Sequence, residues 1–353
     1  MRAWGVTYDT GFTNCGSTTH EPFDPEIVGE DMRIIREELL ADAVRITGGV
    51  ADRLEIAARH AAAVGLEVWY CPFTNDLTTD ELLEFLLDAA ERAERIRRDG
   101  ADIRFLTGSE ISIMTIGLMP GKTLSERSGV LADPLRVREV LPDVQRKTNA
   151  LLARAVEGAR ARFGGPIGYA SLPMEGVDWT PFDFIATDAG YRDATNAAGL
   201  PANLAAMTSQ GKPFAITEFG CAPFTGAADR GSRGDIIGYD EQSGRATHLT
   251  ETVERNEQEQ ATYLLDLLGV FDSGGVDTAF VYTFASRHLP TSERPERDFD
   301  LGSFGIVKVL PDGRTGSTYP RMPWEPKAAF FALAEYGRAR RAHPRRDPAP
   351  RCC

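Results

Sequence analysis

The chain has 353 residues, 42% of them hydrophobic and 26% charged, enough to bury a large core in one domain or two medium ones. Its 52 acidic and 39 basic residues leave a formal net charge of -13. A nucleic-acid backbone or an anionic membrane surface would therefore be repelled over most of the surface, and a neutral or cationic small molecule is the easier partner.

The N-terminus enters a strand-like run at residues 2–8 without the basic and apolar regions of a secretion signal. No stretch reaches membrane-span length, so a soluble, cytoplasmic protein is expected. An amphipathic helix follows at 25–41, with Ile27, Ile34, Ile35 and Leu39 on one side. A second strand at 43–47 leads into a helix at 51–64 that Gly65 should close. The third strand, 66–72, precedes a helix at 78–98 whose opening Thr-Thr-Asp-Glu resembles a capping box; Gly100 ends it. The fourth strand, 103–107, is followed by a long loop and a helix at about 134–162, with a break expected at Pro142. The fifth strand is 167–170 and the sixth 182–187, and a weak helix around 203–209 separates the sixth from the seventh at 214–217. A helix at 257–271 precedes the eighth strand, 278–284, and a last helix at 327–339 would close the ring.

Strands alternating with helices eight times over residues 1–340 is the pattern of a single-domain α/β protein, a (β/α)8 TIM barrel. An open doubly wound sheet is the rival. Against it, no strand runs into a Gly-x-Gly-x-x-Gly turn opening a helix, and the glycine-rich stretch 226–238 lacks the lysine of a phosphate-binding loop. Residues 341–353 form an Arg/Pro-rich tail that cannot bury a core and is expected to be disordered. Its Cys352 and Cys353, with Cys15, Cys71 and Cys221, offer neither a disulfide framework nor zinc-ligand spacing. Only five of the basic residues are lysines, a bias that suggests a GC-rich bacterial genome.

In such barrels the carboxyl ends of the strands line the active site. Glu110 follows the fourth strand in Thr107-Gly108-Ser109-Glu110, and Glu218 follows the seventh in Ile216-Thr217-Glu218-Phe219-Gly220. Glycoside hydrolysis needs such a pair, because one carboxyl protonates the leaving oxygen while the other attacks the anomeric carbon or activates water. Asp188 after the sixth strand and Asn75 after the third are further rim residues able to bind hydroxyls. The histidines, His20, His60, His248, His288 and His343, show no close pairing, which disfavours a metal hydrolase; no metal and no cofactor is expected. The loop at 220–255 is long and polar, a candidate lid, with Arg230 and Arg233 able to meet an acidic substrate.

These residues resemble the retaining glycosidases of clan A, over most of the barrel. Thr217-Glu218-Phe219-Gly220 is similar to that clan's nucleophile motif, and Asp300-Leu301-Gly302-Ser303-Phe304-Gly305-Ile306-Val307 with its following helix is similar to the clan's closing segment. The resemblance implies Glu218 as nucleophile, Glu110 as acid/base, Arg45 orienting the nucleophile and Tyr191 donating a hydrogen bond to it. Physically, Arg45 would keep Glu218 ionised while a drier corner keeps Glu110 protonated. Two positions depart from the clan's pattern. Ser109 stands where Asn usually binds the sugar 2-hydroxyl, and Tyr282 with Phe284 stands where a Trp platform is common. Trp4, Trp69 and Trp179 are alternative platforms, with Trp179 expected on the far side of the barrel. The reading is a hydrolase of a small glycoside or sugar conjugate. The alternatives are glycosyl transfer or specialised-metabolite processing on the same carboxylates, and an inactive binding protein in stress or phage defence.

Overall fold

A computed structural model describes residues 1–343. Strands β1 (Ala3–Asp9), β2 (Ala43–Gly48), β3 (Glu67–Pro72), β4 (Ile103–Ser109), β5 (Ile167–Ser171), β6 (Ile185–Thr187), β7 (Phe214–Phe219) and β8 (Thr278–Val281) run parallel in sequence order around a closed barrel. The ring is shut by β8 against β1, with Ala3 opposite Thr278 and Val6 opposite Val281. Helices α1 (Pro25–Glu37), α2 (Ala51–Ala63), α3 (Thr79–Arg98), α4 (Pro134–Arg160), α5 (Leu200–Thr208), α6 (Glu257–Ser273) and α7 (Ala328–Ala342) cover the outside.

Period-two alternation gives each strand two buried faces. The inward set includes Ala43, Trp69, Leu106, Phe184, Ala215 and Phe280, which fill the barrel as one cluster. Trp69 packs edge-on against Phe184 at 4.8 Å and Phe280 at 5.0 Å between ring centroids. Such a plug leaves little room: a Cβ on Gly168 would lie 2.2 Å from the Phe184 ring, so glycine is required there. Outward residues such as Val6, Ile46 and Val68 meet Ile34, Ile35 and Leu54 of the helices in the larger core cluster.

Local signals behave as their chemistry dictates. Thr78 and Glu81 form the reciprocal capping box of α3, and Gly65 and Gly100 take positive φ, 77° and 103°, just beyond α2 and α3. Four sequence expectations need correction. Pro142 does not break α4, whose first two turns are largely exposed, so the carbonyl left without a partner can be hydrated. β6 starts at Ile185 and β8 ends at Val281. Finally, α7 continues to Ala342, with Arg340 donating to Met1 O at 3.2 Å, so the expected tail does not begin at residue 341. The rest of that tail, 344–353, lies outside the described residues. Among the described residues no helix is long and apolar enough to cross a membrane.

Candidate active site

Glu218 lies inside β7 at the carboxyl end of the barrel and is 8% exposed. Arg45, on β2 and fully buried, donates through Nη1 to Glu218 Oε1 at 2.7 Å. Tyr191, in the loop after β6, donates its hydroxyl to Glu218 Oε2 at 3.2 Å. Both contacts favour the charged carboxylate. Burial and the neighbouring Asp188 work against them and push Glu218 up to about 8. Arg45 stands beside Glu218 as expected, and its guanidinium is shared. It also lies 3.2 Å from Asp188 Oδ1, and its Nη2 donates to Ser109 Oγ at 3.0 Å and to Asp188 Oδ2 at 3.3 Å.

Ser109 completes that cluster by donating to Asp188 Oδ2 at 2.5 Å. The Asp188 side chain is wholly enclosed. It acts on the site through Arg45 and Ser109, and the direct hydroxyl contact expected of it is not available.

Glu110 directly follows β4 in a left-handed conformation, φ 50° and ψ 33°. A non-glycine residue there needs support from its surroundings. Three hydrogen bonds supply it: Ile111 N–H donates to Tyr169 Oη at 2.9 Å, Ser112 N–H to Glu175 Oε1 at 3.0 Å, and Tyr169 Oη–H to Glu175 at 2.7 Å. Burial, followed by the nearby charges of Asp188, Glu218 and Glu175, raises Glu110 well above the usual carboxylate range. Glu175 is fully buried and was not singled out from the sequence, because it sits in a turn after β5 and not at a strand end.

The other sequence candidates separate clearly. Asn75 is bound up in loop structure: its amide donates to Asn14 Oδ1 at 2.9 Å, and its carbonyl accepts from Arg127 at 3.0 Å. Tyr282, just after β8, stays partly exposed beside Phe304, whereas Phe284 is fully buried against Trp324. Trp4 and Trp69 are core residues and cannot serve as platforms. Trp179 accepts from Lys212, ahead of β7, at the opposite end of the barrel as expected. Arg230 pairs with Glu251 at 2.7 Å and Arg233 with Asp193 at 3.0 Å, so neither is a spare cation on the rim.

Asp9 was not anticipated, and His20 was read only as one of the unpaired histidines. Asp9 ends β1 close enough to Tyr282 for their charges to interact, and its carboxylate accepts from Gly11 N–H at 2.8 Å and from Thr19. His20 is buried, with Nδ1 2.8 Å from Asp9 O, and burial with the Arg287 and Arg53 charges lowers it to about 3. A strand-end position was the available signal for Asp9. Surface hollows of about 700 Å3 beside Gly117 and Lys147, and about 340 Å3 beside Arg192 and Val270, lie away from the two glutamates. Neither is lined by a comparable cluster of buried charge. Among the described residues no group of three or more His, Cys, Asp or Glu side chains is arranged to hold a metal ion.

No family model and no curated protein matches the amino-acid sequence. Solved structures do match the fold. A GH113 β-1,4-mannanase superposes with a TM-score of 0.60 at 15% identity, over 96% of this chain and 100% of the other. The GH113 β-mannanase of Alicyclobacillus acidocaldarius gives 0.58 at 15% identity over 95% and 96%. A hyperthermophilic β-glucosidase from Pyrococcus furiosus gives 0.55 at 11% identity over 96% and 95%. At these identities the likeness is one of fold, a (β/α)8 barrel shared with these mannanases and this glucosidase.

Proposed function

We propose that the chain is a glycoside hydrolase that acts on a small glycoside or sugar conjugate by retaining double displacement. The observation that carries this reading is the pair of glutamates ending β4 and β7, only one of which is given a cation. Glu218 has Arg45 and Tyr191 on its oxygens, so it is the carboxyl whose charge is supported and the one suited to attack. Glu110, pushed well up by burial and surrounding negative charge, keeps its proton and suits the acid role. The similar barrels include mannanases and a glucosidase, which supports a glycosidic bond as the substrate.

In the first step Glu218 forms an ester to the anomeric carbon as the glycosidic bond breaks, and Glu110 transfers its proton to the departing oxygen. In the second, Glu110 takes a proton from water, the resulting oxygen nucleophile attacks the same carbon, and Glu218 leaves as carboxylate. This chain's residues suffice for both steps without a cofactor. We also infer a reducing, cytoplasmic setting, in which the exposed thiol of Cys15 would stay reduced.

The test combines variants with stereochemistry. Alanine at Glu110 or Glu218 should cost at least about 10²-fold in turnover of an activated glycoside. Proton NMR of the first-formed sugar should show the starting anomeric configuration. An inverted first product, or either variant within a few-fold of wild type, sinks the mechanism. Product analysis with a sugar acceptor present separates hydrolysis from transfer.

A further inference from the structure

Glu110 precedes one helical turn, Ile111–Met114, and the first N–H groups of a helix need acceptors from outside it. A polar residue in that position ordinarily folds its own side chain back onto them. The Glu110 side chain makes no such bond. The acceptors come instead from β5 and the turn behind it: Glu110 N–H donates to Ala170 O at 3.0 Å, Ile111 N–H to Tyr169 Oη at 2.9 Å and Ser112 N–H to Glu175 Oε1 at 3.0 Å. Three consecutive N–H groups are thus held by one neighbouring strand and its turn. The carboxyl of Glu110 is left to the site, where the charges of Asp188 and Glu218 act on it.

Glu175 is the far end of this bracket. Its 3-10 turn, Pro173–Glu175, is fixed from outside by α4, because Gln145 Nε2 donates to Met174 O at 2.8 Å and Asn149 Nδ2 to Gly176 O at 3.1 Å. The carboxylate is fully buried, and hydrogen bonds from Ser112, Tyr169 and Leu172 offset that burial, the Leu172 N–H lying 2.8 Å from Oε2. The Tyr169 hydroxyl reaches both oxygens, at 2.7 and 2.8 Å. Among the described residues Glu175 has no ion-pair partner. A buried carboxylate without a cation is a costly way to close a turn, which packing or a neutral amide could close as well. What it does here that they would not is present acceptor oxygens at once to the N–H after Ile111 and to the hydroxyl that receives the N–H of Ile111.

Resting on the glycosidase reading, we propose that Glu175 is a positioning residue for the acid: through Tyr169 and the N–H groups of Ile111 and Ser112 it holds Glu110 in its left-handed turn, with the carboxyl aimed at the departing oxygen. Its contribution then depends on how much the departing oxygen needs a proton. An oxygen that leaves as a stable anion needs little, and a poorer leaving group needs it in full. A general loosening of the fold would slow both alike.

The experiment compares kcat/KM for the 2,4-dinitrophenyl and phenyl glycosides of a sugar that the native chain turns over, found from a panel of common sugars. This ratio reports the first step, in which the glycosidic bond breaks. Glu175→Gln should lower it by about 30-fold for the phenyl glycoside and leave the dinitrophenyl glycoside within about threefold. Tyr169→Phe, which keeps the ring and removes the hydroxyl, should show the same split at about tenfold. Glu110→Ala sets the scale with a larger split in kcat/KM, while its kcat falls on either glycoside because the second step takes a proton through Glu110. If Glu110→Ala gives its split and the folded Glu175→Gln slows both glycosides equally, or neither, the role of Glu175 is overturned and the glycosidase reading stands. A Glu110→Ala variant without the split, or turnover of no glycoside by the native chain, overturns both. If Glu175→Gln does not fold, Tyr169→Phe decides by the same comparison.

Discussion

A single nitrogen of Arg45 serves two carboxylates: Nη1 stands 2.7 Å from Glu218 Oε1 and 3.2 Å from Asp188 Oδ1. The division lowers what the cation can do for either one, and it leaves Glu218 higher than a nucleophile paired with its own arginine would be.

Asp188→Asn keeps the size of the side chain, removes its negative charge and releases Arg45 to Glu218. The Glu218 carboxyl, at about 8 in the unliganded protein, should then fall by one to two pH units at roughly the strength expected of a partly screened charge a few ångströms away. The ascending limb of kcat/KM against pH should move to lower pH by that amount. An unchanged limb would show that Asp188 does not bear on the nucleophile's charge.

The same raised carboxyl has a consequence for stability. A carboxyl that is higher when folded than its ordinary 4.5 binds more protons in the native state, so its contribution is complete below 4.5 and is lost as pH rises toward about 8. Glu218→Gln carries no charge to bury and escapes this loss. The stability of the variant relative to wild type should therefore increase by the order of a few kcal/mol between pH 5 and 8, as measured by denaturant titration at each pH. A difference that stays flat over that window would contradict the burial of this charge.

Tyr191 and Asn75 both follow barrel strands, and the structure gives them different work. Tyr191→Phe removes a hydrogen bond to Glu218 and should lower kcat by about 10-fold with little change in the denaturation midpoint. Asn75→Ala unties Asn14 and Arg127, so it should lower stability while kcat/KM changes by less than about threefold. The opposite pattern at Asn75 would restore it as a substrate-binding residue.

Trp69 fills the barrel between Phe184 and Phe280 and also donates to Glu67 at 2.6 Å. Trp69→Ala should cost about 3 to 5 kcal/mol, read as a lower midpoint of urea unfolding at an unchanged slope. A loss below about 1 kcal/mol would mean that the barrel interior collapses around the cavity.

The eight strands and the two glutamates were legible in the amino-acid sequence because both depend on local pattern. Apolar runs alternating with amphipathic helices mark the barrel, and a polar residue at the end of such a run marks its mouth. Arg45 and Tyr191 came from the clan A resemblance, and the structure brings both onto Glu218. Asn75 and Asp188 occupy equally plausible strand-end positions, yet one is spent on loop contacts and the other is sealed behind Arg45. Strand-end position specifies where a residue stands and is silent about which neighbours reach it first. Glu175, supporting the turn of Glu110 from 65 residues away, left no signal for the same reason.

The sequence by itself therefore determined the barrel, its order of strands and the pair of carboxylates at its mouth, since periodicity and strand ends are properties of short segments. Only the tertiary structure decided how one buried arginine is divided between Glu218 and Asp188, and how hairpins more than 200 residues apart come into contact. Those outcomes depend on distances between segments remote in the chain, and electrostatic and steric energies are set by such distances.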